Sequence, residues 1–321
     1  MKPVAYALAL AVGETMFLDG EWTPKTPLPT VRYYHGQSTL LDGTVLVTGG
    51  YNTPITATVY SWSPVTDSWT AKSSMPTTRS KHGQSTLADG TVFVTAGNIA
   101  NVEPQYSAVS YNPATNSWTA KNGGYNMYDH AQSTLNDGSV LVTGGVDSYQ
   151  LLNTVYAYSP SSNLWSSKSS MPATRYHHAQ STMADGTVLV TGGKVGNTLP
   201  SADVRSYNPS TNSWTQKASL PATRLYHKQS TMVDGTVMVT GGDSPATDTV
   251  VSYDPATNVW TAGTSMPTTR NLHGQSTLND GSVLLAGGSP LVLANTALQW
   301  QIDRYGPTPG RAAILGYLAA T

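Results

Sequence analysis

The chain has 321 residues, with 17 basic and 18 acidic side chains, a formal net charge of −1, and no cysteine. Without cysteine there is no disulfide framework, no thiolate metal site and no cysteine nucleophile, and the balanced charge argues against nucleic acid as a partner. Twenty-nine Gly and 20 Pro interrupt the chain too often for long helices, while 39% hydrophobic residues suffice for a core.

In chain order, Met1–Val12 comes first, with one Lys and a short apolar run containing Ala-Leu-Ala. It reads either as a weak secretory signal or as a strand, and the strand is preferred because it fills a needed place in the sheet. No stretch is apolar for long enough to span a membrane as a helix, so no membrane insertion is expected. The first full unit then follows. Gln37–Leu40 predicts a strand (a), and Asp42-Gly43 a tight turn. Thr44–Thr48 predicts a strand (b) covered on both faces, ending at Gly49-Gly50. Thr58–Trp62 predicts strand c, Pro64–Ser68 a turn, and Trp69 the start of strand d.

This unit repeats. The phrase H-x-Q-S-T-[LM]-x-D-G-[TS]-V begins at His35, His82, His130, His178, His227 and His273, at spacings of 46 to 49 residues. One four-stranded sheet with two apolar faces cannot bury both alone. A ring of such sheets buries each face on its neighbour, which is a propeller. The histidines number six, but seven tryptophans stand in register: Trp22, Trp69, Trp118, Trp165, Trp214, Trp260 and Trp300, with Trp62 outside the set. Arg32, Arg79, Arg175, Arg224 and Arg270 lie ten residues after their tryptophans, Arg311 eleven after Trp300, and Tyr128 takes the position after Trp118. Seven units of about 46 residues fill the length. The expected fold is therefore all-β, one domain over 1–321, a seven-bladed propeller. Its seventh blade is split between 1–31 and 311–321, with Ala312–Ala320 as strand a, Val4–Val12 as b, Thr15–Leu18 as c and Glu21–Thr23 as d.

The Gly-Gly doublets (Gly49-Gly50, Gly144-Gly145, Gly192-Gly193, Gly241-Gly242, Gly287-Gly288), the later Tyr and Trp, and the Arg before the next unit resemble the kelch-repeat family. Ala96-Gly97 is a departure in the second unit. The resemblance implies a propeller and leaves function open, because kelch propellers include enzymes, binding modules and structural components. It also brings galactose-oxidase-like copper enzymes to mind. Their cofactor is a Tyr crosslinked to Cys, which a chain without cysteine cannot form. No G-x-S-x-G, P-loop, H-E-x-x-H or EF-hand motif occurs. No catalytic residue, cofactor or metal is expected.

Strand order places the a–b and c–d turns on one face and the b–c and d–a loops on the other. The first face carries Asp42, Asp89, Asp137, Asp185, Asp234 and Asp280, which suit Asp-Gly turns for conformational reasons. The second carries the repeated Lys and Arg residues, either as a basic surface or buried against neighbouring carbonyls. His35 and its counterparts are expected to bond between blades, because a ring of blades holds them too far apart to share a metal. The candidate ligand-binding residues are Tyr33, Tyr34, Tyr51, Tyr106, Tyr125, Tyr128, Tyr149, Tyr176 and Tyr226, with Arg175 and Arg224. Tyr offers a flat apolar face and a hydroxyl, suited to sugars or protein anchors. The connector Lys121–Asp129 departs most from the repeat. The expectation is a non-enzymatic recognition or assembly module on a microbial or phage-virion exterior, binding glycan or protein through this loop face. The alternatives are a purely architectural subunit, or a sugar-acting enzyme of epimerase or mutarotase type with its site in the axial funnel.

Overall fold

Four-residue runs such as Val45–Thr48 and Val92–Thr95 are buried at every position. β-Branched residues covered on both faces form the second strand of a sheet, and the flanking turns are set by Asp side chains. Asp42 Oδ1 accepts from the Thr44 amide at 2.9 Å, and the same bond recurs at Asp89, Asp137, Asp185, Asp234 and Asp280. The computed structural model describes residues 20–98, 107–148, 150–196, 199–243, 245–289 and 295–302. They form antiparallel sheets ordered a-b-c-d. The first blade comprises Gly36–Thr39, Val45–Thr48, Val59–Ser63 and Ser68–Lys72.

Among the described residues the blades number six, not seven. The sixth pairs Gly274–Thr277, Val283–Ala286 and Ala297–Ile302 with Gly20–Lys25 from the start of the chain. Its inner strand packs directly against that of the first blade, and Gln37 Nε2 donates to Ser276 Oγ (3.1 Å) and the Leu284 carbonyl (3.0 Å) across the seam. The ring is thus closed and has no opening for a seventh sheet.

The tryptophan count failed for an identifiable reason. Trp300 stands opposite Val283 in strand c, as Trp62 stands opposite Val45. Trp22 is its partner in strand d, as Trp69 is the partner of Trp62. Trp300 therefore shares one blade with Trp22, in the slot held by Tyr111, Tyr158, Tyr207 and Tyr253 elsewhere. Of the terminal strands assigned to a split blade, Glu21–Thr23 is present as part of Gly20–Lys25, but in the sixth blade. Val4–Val12, Thr15–Leu18 and Ala312–Ala320 lie outside the described residues.

Among the described residues the core is six apolar clusters, one per seam. The cluster closing the ring joins Val45, Val47 and Trp62 to Leu284, Ala286 and Ala297. The next joins Leu46 and Val59 to Val92, Val94 and Tyr111.

The Gly doublets are steric. Gly49 has φ 57°, and a Cβ there would lie 2.3 Å from the Arg79 carbonyl oxygen. In the second unit Ala96 takes this place at φ 51°. There the neighbouring connector also differs, because the Met127 carbonyl accepts from Gly97 where the Arg79 carbonyl accepts from Gly50. Ala96 and Met127 pack in one cluster. Met127, not Tyr128, thus occupies the position of the missing arginine. The two departures from the repeat are one local repacking.

Candidate functional site at the axial mouth

The residue before each repeated histidine is Tyr34, Lys81, Asp129, His177, Tyr226 or Leu272. All six adopt left-handed backbone conformations, φ 55–58°. Bulky side chains rarely do so. Here the conformation closes a main-chain circle around the axis. Each amide donates to the carbonyl of the corresponding residue in the preceding blade: Lys81 to Tyr34 (2.9 Å), Asp129 to Lys81, His177 to Asp129, Tyr226 to His177, Leu272 to Tyr226, and Tyr34 to Leu272 (3.2 Å). Six equivalent positions on a common frame thus present five different residue types to one mouth.

These side chains engage one another. Lys81 Nζ lies 3.1 Å from Asp129 Oδ2, and His177 Nδ1 lies 3.3 Å from Asp129 Oδ1. His177 Nε2 is 3.1 Å from the Tyr226 hydroxyl. Lys81 Nζ also sits over the Tyr34 ring at 4.8 Å and the Tyr128 ring at 5.2 Å. Burial alone would raise the Asp129 pKa, but His177 and Lys81 outweigh it and hold the carboxyl below its ordinary range. Burial pushes the Tyr34 and Tyr226 hydroxyls up, so both are neutral donors at pH 7.

Of the tyrosines singled out from the sequence, Tyr33, Tyr34, Tyr51, Tyr128, Tyr176 and Tyr226 gather at this face. Tyr33 lies 5.5 Å from Tyr34 and 5.2 Å from Tyr51, Tyr34 lies 5.9 Å from Tyr226, and Tyr176 lies 4.5 Å from His177. Tyr128 bridges Val146 as Tyr33 bridges Tyr51. Tyr125 is elsewhere, stacked on Tyr156 and edge-on to Trp165. Tyr106 and Tyr149 lie outside the described residues.

Arg175 and Arg224 are inside the wall, each 3% exposed. Arg175 donates to the Gly192 and Asp203 carbonyls and pairs with the Asp203 carboxylate. Arg224 donates to the Gly241 carbonyl and the Thr249 hydroxyl. Arg32, Arg79 and Arg270 do the same, so these arginines tie a b–c loop to the connector and do not form a basic surface. Lys81, Asp129, His177 and Lys228 were missed as site residues. The available signal was the pair of positions flanking each repeated histidine, which varies inside an otherwise constant phrase.

Below the mouth the histidines line the axis. The Thr48 hydroxyl donates to Gln84 Oε1 (2.6 Å), so its lone pair accepts from His82 Nε2–H (2.9 Å). An amide oxygen can only accept, which sets the hydroxyl direction and the imidazole tautomer. The same triad recurs at Thr95–His130–Gln132, Thr143–His178–Gln180, Thr191–His227–Gln229 and Thr240–His273–Gln275. At the sixth seam Ala286 replaces the threonine, and His35 and Gln37 Oε1 lose their hydroxyl partner. Burial holds the histidine pKa values well below 6.5, with His130 at about 4, so the rings are neutral at pH 7.

Two cavities follow the axis. One, of about 50 Å³, is bounded by Tyr34, Lys81, Asp129, His177 and Tyr226. The other, of about 120 Å³, is lined by the histidine and glutamine rings. Lys228 borders both.

Comparison with known proteins agrees with this architecture. Residues 84–288 match the KLHDC2/KLHL20/DRC7 Kelch-repeats domain, and residues 32–76 match the Kelch motif. The chain belongs to the kelch-repeat family. No curated protein matches it in sequence. Among solved structures it is similar to that titled "Structure of YjhT", with a TM-score of 0.71 and 17% identity over 85% of this chain and 95% of that one. At that identity the likeness concerns the fold. A kelch propeller of this kind is a protein-interaction or enzyme-like module, and kelch-repeat domains mediate protein–protein interaction.

Proposed function

We propose that the chain is a non-enzymatic recognition module that seats a protruding group of a partner protein in the axial mouth. The observation behind this reading is the main-chain circle. It presents Tyr34, Lys81, Asp129, His177, Tyr226 and Leu272 from six equivalent positions, while the surrounding repeat is nearly invariant. The mouth cavity of about 50 Å³ suits a side chain more than a whole substrate. Around it the tyrosines supply rigid aromatic contact area with polar ends, the composition of protein anchors. Low charge and abundant small polar residues support placing the module on an exterior surface, cellular or virion.

A second reading is favoured by the Asp129–His177–Tyr226 chain, which resembles an acid–base relay facing a cavity and fits a sugar-acting enzyme. A random-peptide display selection separates the two. Wild-type protein should enrich a consensus that the Tyr34→Ala, Tyr226→Ala double variant fails to bind while keeping its melting temperature within a few degrees. No consensus, or one retained by the double variant, would defeat the recognition reading.

A further inference from the structure

The position after each repeated histidine is Gly36, Gly83, Ala131, Ala179, Lys228 or Gly274. At five seams the residue is small because its Cβ faces the next blade. A Cβ on Gly36 would fall 2.4 Å from Gln84 Oε1 and 2.7 Å from His82 Nε2. In the fifth blade the frame is the same, with Lys228 opposite Thr240 as Gly36 is opposite Thr48. A lysine therefore stands where the other five blades carry at most a methyl group, and its chain borders both axial cavities.

Its surroundings do not satisfy it. Among the described residues Lys228 forms no ion pair, and no hydrogen bond from its ammonium is present. Burial pushes its pKa down, with Asp129 the one acid acting against that shift. Both Asp129 oxygens face other groups, Lys81 and His177. The repeated histidines bordering the cavities are neutral, and the glutamine amides are committed to Ser hydroxyls and main-chain carbonyls of the preceding blade. Lys228 is partly buried, and a lysine that borders a polar cavity without an acid of its own is open to an anion entering that cavity.

We propose that Lys228 and the axial cavity beside it form an anion site that takes a carboxylate group. A volume of about 120 Å³ accommodates a carboxylate with its first waters. Tyr34 and Tyr226 border the entry. This deepens the recognition reading and rests on it in one respect: the carboxylate is that of a partner's acidic side chain entering through the mouth. A free small carboxylate shares the chemistry.

The test uses acetate and its neutral isostere acetamide on the full chain, with ionic strength held by a bulky sulfonate buffer. Wild-type protein should show a saturable rise in melting temperature of roughly 2–3 °C with acetate and none with acetamide. Lys228→Ala copies the residue at Ala131 and Ala179, so it should fold, with an unliganded melting temperature at or above wild type, and lose the acetate response. Lys228→Met serves as the longer neutral replacement. Equal responses in wild type and both variants, or no saturable response in wild type, overturn the site. If acetate also displaces display-selected peptides from wild type, the carboxylate is the partner's. If it stabilises without displacing them, the site takes a free carboxylate. The thermal shift needs no partner, so its failure leaves the mouth reading to the display selection, and failure of that selection leaves the anion site standing.

Discussion

Asp129 Oδ2 lies 3.1 Å from Lys81 Nζ, and this pair joins adjacent blades at the rim of the axial cavity. Asp129 is 5% exposed and Lys81 22%, so the pair is partly shielded from solvent. The same carboxylate faces His177 through its other oxygen. One acid therefore organises three blades at the mouth.

Asp129→Asn should lower stability by about 1–3 kcal/mol, because Lys81 and His177 lose their anionic neighbour. Asn tolerates the left-handed backbone at this position, so the loss reports the side chain rather than φ strain. The depressed Asp129 pKa means that its contribution is present above the ordinary carboxylate range and is lost as pH falls through the folded value. Denaturant titration of wild type and variant at pH 7 and pH 3 checks both statements. The gap should narrow at the lower pH.

Ala286→Thr should stabilise the protein by about 1 kcal/mol. The new hydroxyl would accept from His35 and donate to Gln37 Oε1, completing the triad seen at five other seams. The reverse change, Thr48→Ala, should cost about 1–3 kcal/mol, because it strands His82 and Gln84. Thermal and chemical denaturation of the two variants should move in opposite directions. A destabilised Ala286→Thr would mean that the closing seam cannot admit the extra atoms.

Arg79→Lys should cost about 2 kcal/mol or more. The guanidinium spans the Ala96 carbonyl (2.9 Å), the Thr77 hydroxyl (3.1 Å) and the Ser107 hydroxyl (3.0 Å) from one planar fork. A lysine ammonium cannot reproduce that geometry, although the charge is kept. If the charge alone mattered, Arg79→Lys would melt with wild type.

Acid should unfold the propeller earlier than its carboxylates alone would. The six axial histidines titrate below 6.5 in the folded state, so the unfolded chain takes up protons first as pH falls. Their contribution is complete above about pH 6.5 and declines below it, at about 1.4 kcal/mol per pH unit for each proton bound on unfolding. Calorimetry near pH 5.5 in buffers of different ionisation enthalpy should show uptake of several protons on unfolding. Stability that stays flat between pH 7 and 5 would contradict the buried, neutral assignment.

Much of this molecule is written in local sequence. The alternating patterns and the Asp-Gly turns determine the four-stranded unit, because each answers to backbone geometry within about ten residues. The repeat period determines a propeller, because an isolated blade leaves apolar faces exposed. The number of blades is not local. Trp62 and Trp300 carry the same side chain as the strand-d tryptophans, and only pairing shows that Trp300 faces Val283 on one side and Trp22 on the other. Likewise the arginines read as a basic face until their carbonyl partners, 17 residues ahead in sequence, come into view. The mouth is the clearest case. Tyr34, Lys81, Asp129, His177, Tyr226 and Leu272 are nearly fifty residues apart at each step, and only their place before each repeated histidine links them in the chain. They become one site because a closed ring brings equivalent positions to a common axis, where side chains that differ can meet.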